Sequence, residues 1–133
     1  GSRFAERSVQ HVAKIDAPGE VLVEATCFAI ERLPKEPYVG LLIASGRPDL
    51  FVMGATSAQA RASGRLILDR LPLDSAAVFE AGTDLDEVVE ILLRTIASFM
   101  MDEVFPMRTK KELRAFVRRW MWPALHRRAS APA

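Results

Sequence analysis

The stretch Thr83-Asp-Leu-Asp-Glu-Val-Val-Glu-Ile-Leu-Leu-Arg-Thr-Ile-Ala-Ser-Phe-Met-Met-Asp102 decides the fold. Leu85, Val88, Val89, Leu92, Ile96, Phe99 and Met100 recur at intervals of three and four, the period of a helix and not of a strand. Thr83 and Asp84 are both good caps, and Asp86 and Glu87 follow three residues on, as in a capping box. Glu87, Glu90 and Arg94 fall opposite the apolar face. Between the two faces run Ile91, Thr95 and Ser98, small or medium side chains that let a second helix approach closely.

Downstream, Thr109-Lys-Lys-Glu112 is a second capping box. Leu113, Phe116, Val117, Trp120 and Met121 keep helical spacing, and Pro123 closes the main segment. Trp122 falls off the core face, near Ala115 and Arg119. An off-face Trp beside an Arg suits an interface anchor, though it also suits packing under the chain's tail. From Arg108 onward there are eight Lys or Arg against one acidic residue, Glu112. Arg114 and Arg118 fall on the polar side of this helix, where a solvated face is the first expectation and nucleic-acid contact the second.

Upstream the same period continues. Arg3 to Lys14 reads as a helix on Phe4, Val9, Val12 and Ala13. Asp16 is the expected cap of the next, with Pro18 in its first turn, running to about Leu33. Pro37 opens a short apolar helix, Tyr38 to Ser45. Asp49 to Gly54 stays unassigned. Ser57 to Leu71 is a helix with small residues at its start (Ala58, Ala60, Ala62, Ser63, Gly64) and large ones at its end (Leu66, Ile67, Leu68, Leu71). Pro72 to Gly82 reads as a loop. No stretch alternates as a half-buried strand would, so an all-α helical bundle of about five to six helices is expected.

The 133 residues fit one domain, 3–127, with Gly1-Ser2 as a cleavage scar or truncation and 128–133 as a frayed tail. Half of the residues are hydrophobic and 26% are charged, the balance of a globular chain with some apolar surface left for a pocket or partner. A net charge of +1 points to no particular partner. Cys27 is the single cysteine. It permits no intrachain disulfide, suits a reducing cytoplasm, and sits among apolar neighbours as an inert thiol, with a redox or metal role as the other reading. The longest apolar run, Tyr38 to Ala44, is too short to cross a bilayer.

There is no Gly-rich phosphate loop, no His-Glu-x-x-His and no paired Cys-x-x-Cys, so neither a cofactor nor a metal is expected. His11 and His126 lie at opposite ends of the chain, and nothing local assembles a catalytic triad, so no enzyme is expected. Asp84, Asp86, Glu87 and Glu90 either complement the positive end of their helix or hold a cation. Arg61 and Arg65, four apart, either clamp a ligand carboxylate or pair on the surface, as Arg65 can with Asp69.

The segment from Asp84 through Arg94-Thr-Ile-Ala-Ser98-Phe99 resembles the penultimate helix of many TetR-family transcriptional regulators. Glu112 through Trp120-Met-Trp-Pro123-Ala-Leu125 is similar to that family's last helix, and Ser57 to Arg65 to the helix before its variable loop. The likeness spans most of the chain, with Arg94–Phe99 and Trp120–Leu125 its most specific parts. It implies a homodimer whose last two helices form a four-helix bundle with those of the partner, buried at Ile91, Thr95, Ser98, Ala115, Arg119 and Trp122. It also implies a pocket for a hydrophobic small-molecule effector in each subunit. Cys27, Phe28, Glu31, Phe51, Met53, Gln59, Arg61, Ile96 and Met100 are the expected lining and anchors, although such side chains equally suit plain core. The family binds operator DNA through an N-terminal helix-turn-helix. None stands in this sequence, so DNA contact is expected only through a domain outside it. A structural homodimerisation module without ligand is the alternative.

Overall fold

The computed structural model describes residues 2–101 and 108–125. The expected helix end at Asp102, His126 and the tail 128–133 lie outside the described residues. The described residues are helical with no strand. In chain order they form α1 (Ser2–Val12), α2 (Pro18–Arg32), a 3-10 turn (Leu33–Lys35), α3 (Pro37–Ala44), α4 (Pro48–Ala55), α5 (Ala58–Arg70), α6 (Ser75–Val78), α7 (Leu85–Phe99), α8 (Lys110–Trp120) and α9 (Trp122–Leu125). Five of these are long, and α2 and α7 are the longest at 15 residues each.

Local chemistry sets the boundaries. Pro18, Pro37 and Pro48 each begin a helix, where a missing N–H costs nothing. The start of α2 corrects one expectation: its cap is Ala17, with no side-chain bond, and not Asp16. Ser57 caps α5 by accepting from Ala60 N–H. Thr109 and Glu112 form a reciprocal capping box on α8. At α7 the box is incomplete. Asp84 accepts from Asp86 N–H, while the Thr83 hydroxyl donates to the Glu80 carbonyl. Gly46, at φ 73, ends α3, and the bonds from Gly46 N–H to Ile43 and from Arg47 N–H to Leu42 complete a Schellman closure. The unassigned Asp49–Gly54 piece is α4. The expected loop 72–82 contains the single turn α6, capped by Asp74.

Helix α2 is the axis of the domain and packs against α1, α7 and α8, while α5 packs against α7 and α1. Two apolar clusters result. One gathers Val12, Val21, Leu22, Leu68, Leu71, Val78, Phe79, Val88 and Val89. The other gathers Val23, Cys27, Ala29, Ile30, Ile96, Phe99, Leu113 and Val117. Both α2 and α7 feed both clusters, which explains why their sequences are apolar over so much of the wheel. Burying side chains such as Phe79 or Ile30 stabilises by about 1.5–3 kcal/mol each.

The close approach of α5 to α7 depends on Gly64. A Cβ there would stand 2.7 Å from Cγ1 of Val89. The small-residue half of α5 is therefore a contact surface, not a weak helix. By contrast, the most apolar helix, α3, buries only Val39. Tyr38, Leu41 and Ile43 on α3, with Leu50 and Met53 on α4, stay exposed.

Candidate functional site

Three features stand out: a cavity inside the helices, a groove beside them, and a charged seam. The cavity, about 110 Å³, lies between α1, α2, α5 and α7. Phe4 and Ser8 line it from α1; Leu22, Ala25, Thr26 and Ala29 from α2; Gly64, Ile67 and Leu68 from α5; Val89, Leu92, Leu93 and Ile96 from α7. Space remains there because Gly64, Ala25 and Ala29 are small while the large residues around them hold the helices apart. The lining is apolar except for two hydroxyls. Ser8 donates to the Phe4 carbonyl at 2.9 Å and Thr26 to the Leu22 carbonyl at 2.8 Å. No ionisable side chain lines the cavity.

The groove, about 300 Å³, runs between α7 and α8 and is lined by Ile91, Thr95, Phe116, Val117, Trp120, Met121, Ala124 and Leu125. At its base Phe99 and Phe116 meet edge to face, centroids 6.1 Å apart, and Arg108 lies 4.1 Å over the Phe116 ring. The two tryptophans exchange their expected places. Trp120, expected in the core, is 67% exposed at the groove. Trp122, expected at an interface, packs on α2, where a Cβ on Gly19 would lie 2.7 Å from its ring. Trp122 begins α9 after the turn at Met121 and so no longer continues the α8 wheel, while Trp120, the last residue of α8, lies at the groove.

The seam joins α8 to α2. The Arg114 guanidinium, 16% exposed, donates to both carboxylate oxygens of Glu24 (3.0 and 2.8 Å) and of Glu31 (2.7 and 2.9 Å). Arg118 makes a two-bond pair with Glu20 at 2.8 Å, and His11 Nε2 stands 2.8 Å from Glu24. These contacts correct the expectation of a solvated basic face. Helix α8 turns Arg114 and Arg118 toward a row of glutamates on α2. The hydrogen bonds from Arg114 hold the Glu24 carboxyl below its usual range, and those from Arg118 do the same for Glu20. Carboxylates in turn raise the Arg114 pKa.

Of the expected effector residues, Ile96 lines the cavity. Phe28 lies beside it, stacked on Phe4 (6.0 Å) and His11 (4.5 Å). Cys27 is buried in the second cluster, and burial pushes its thiol up to about 12, which leaves little thiolate at neutral pH. Glu31 is engaged by Arg114. Arg61 faces Glu90 at 3.7 Å, and Arg65 bonds both Asp69 and Asp86. Met100 is buried at the end of α7, Phe51 is half-buried on α4, Gln59 is exposed, and Met53 is 74% exposed. Of the expected interface residues, Ile91 and Thr95 line the groove. Ser98 and Arg119 are exposed, and Ala115 is half-buried.

Sequence reasoning missed Ser8, Thr26, Gly64 and Arg114. A signal was present for the first two. Each occupies a core position, with apolar residues at i−4 and i+4: Phe4 and Val12 around Ser8, Leu22 and Ile30 around Thr26. Among the described residues, no group of three or more His, Cys, Asp or Glu could hold a metal, and no helix is long and apolar enough to cross a membrane. The chain matches no protein-family model, no curated protein and no solved structure.

Proposed function

We propose that this chain is a small-molecule-sensing and dimerisation domain of the kind found in TetR-family repressors, taking a hydrophobic effector and pairing with a second copy through α7 and α8. The observation that carries the reading is an almost wholly apolar, half-open pocket among four helices, sharing α7 with a second apolar groove. A cavity in a core that otherwise buries its apolar side chains is a place for a ligand. The groove, with Ile91 and Trp120 at its rim, offers the aromatic anchor and aliphatic surround of a pairing face. Operator DNA would be contacted by a domain outside this sequence. The ion pairs of Arg114 and Arg118 weaken the case for nucleic-acid binding by α8, because these two charges are already matched, while Lys110, Lys111 and Arg119 stay exposed.

Sedimentation at micromolar concentration tests the pairing. The expected result is a two-fold dimer for the chain and a monomer for Trp120→Glu. Thermal unfolding with small lipophilic compounds tests the cavity. A compound present at a hundred times its dissociation constant stabilises by about 2.7 kcal/mol. A dimer that no compound stabilises leaves the structural homodimerisation module as the better reading. A monomeric chain removes the pairing.

A further inference from the structure

Resting on the reading of the α1–α2–α5–α7 cavity as an effector site, we infer that its ligand is a neutral, compact apolar molecule carrying one hydrogen-bond donor, a hydroxyl or an N–H.

Size comes first. An enclosed apolar cavity of about 150 Å³ accepts benzene; this space, about 110 Å³ and half open, limits the buried part of a ligand to about one ring or a short branched chain. Charge comes next. No ionisable side chain lines the space, so an ionised group buried there would give up hydration with no counter-ion to replace it.

Polarity is decided by Ser8 and Thr26. Both are 3% exposed, and both hydroxyl protons are committed to carbonyls one turn back, Phe4 and Leu22. A hydroxyl holds one proton and two lone pairs. With the proton spent, each oxygen can still accept but has nothing left to donate. A ligand carbonyl, ether or carboxylate could be met only by turning a proton away from its backbone carbonyl, so one bond is lost for each gained. A ligand donor, which gives up a bond to water on entering, regains one here and breaks none within the protein. The cavity therefore discriminates by hydrogen-bond polarity as well as by volume.

Phenol, toluene and benzoate separate these terms. Phenol and toluene are nearly the same size and differ in the donor; benzoate is ionised at neutral pH. In isothermal titration, supported by thermal shift, phenol is expected to bind about tenfold more tightly than toluene, the worth of one net hydrogen bond. Benzoate is expected not to bind. The Ser8→Ala/Thr26→Val double variant should bring the phenol-to-toluene ratio close to one and leave toluene affinity unchanged. Thr26→Ser, which keeps the hydroxyl and the fold, should preserve the preference. Equal binding of phenol and toluene to the unaltered chain would overturn the donor inference while leaving the effector cavity standing. Tighter binding of benzoate would overturn it as well. If none of the three binds, the cavity reading itself falls.

Discussion

Helix α2 meets α8, and α5 meets α7, by opposite means. The α2–α8 contact is directional. Arg114 reaches two carboxylates on α2 through four bonds, and Arg118 reaches a third, so sliding one helix along the other would break several bonds at once. The α5–α7 contact is steric. Gly64 admits Val89, while the ion pairs Arg65–Asp86 and Arg61–Glu90 lie at the exposed rim. Charge fixes register on one side and the lack of a side chain fixes distance on the other. Only the second leaves unfilled space, and the cavity touches Gly64, not Arg114.

The largest expected effect comes from breaking the directional contact. Arg114→Ala strands Glu31 and leaves Glu24 with its His11 contact, both carboxylates mostly buried, and should cost about 2–3 kcal/mol in urea unfolding. Restoring balance with Glu24→Gln and Glu31→Gln in the same chain should recover part of it. A loss no larger than that of a surface pair would show that the seam is solvated after all.

The steric contact should respond to bulk and not to charge. Gly64→Val drives its side chain into Val89, and overpacking of this kind costs about 1–3 kcal/mol. Adding Val89→Ala should return some of that loss. If Gly64→Val is neutral, α5 and α7 can move apart freely and the cavity is not held at a set width.

Acid should act on the charged contact more than on the steric one. Glu24 and Glu20 have lowered carboxyl pKa values in the folded chain, caused first by hydrogen bonds from Arg114 and Arg118. Their stabilisation is complete above the ordinary glutamate pKa, near 4.3, and is lost as pH falls through the lowered folded value. Stability against urea should decline across that acid window, and Arg114→Ala should flatten the decline. A slope that the variant does not change would place its origin elsewhere.

The smallest effect belongs to Arg118→Ala. Its pair with Glu20 is about half exposed on both sides, so the cost should stay near about 0.5 kcal/mol. The contrast with Arg114→Ala would then measure what burial adds to the same chemistry on the same helix.

Residues with a strong local signature were legible. The wheels of α7 and α8, the Thr109 capping box, the prolines that open α2 and α3, and the small-residue start of α5 could all be read from spacing. Short elements were not. The α4 and α6 segments are too brief for a period to show, and α3 is apolar on every side, so composition said nothing about which side is covered. The candidate site was mostly illegible. Ile96 was found because it lies on the inward face of a clear helix. Cys27 and Met100 are also inward, yet they fill core rather than line space, and Phe28 is half-buried against His11 and Phe4.

By itself the sequence determined that this chain is helical, where its long helices start, and which faces of α7 and α8 are apolar. Those properties depend on side chains within a turn or two of one another, so spacing is enough to encode them. The tertiary structure alone decided that Arg114 faces glutamates 90 and 83 residues away, that Trp120 looks outward while Trp122 looks inward, and that space remains beside Gly64. Each of these depends on how helices distant in the chain are rotated and spaced. A helical period shows that a face will be buried, but not what buries it or how completely the contact is filled.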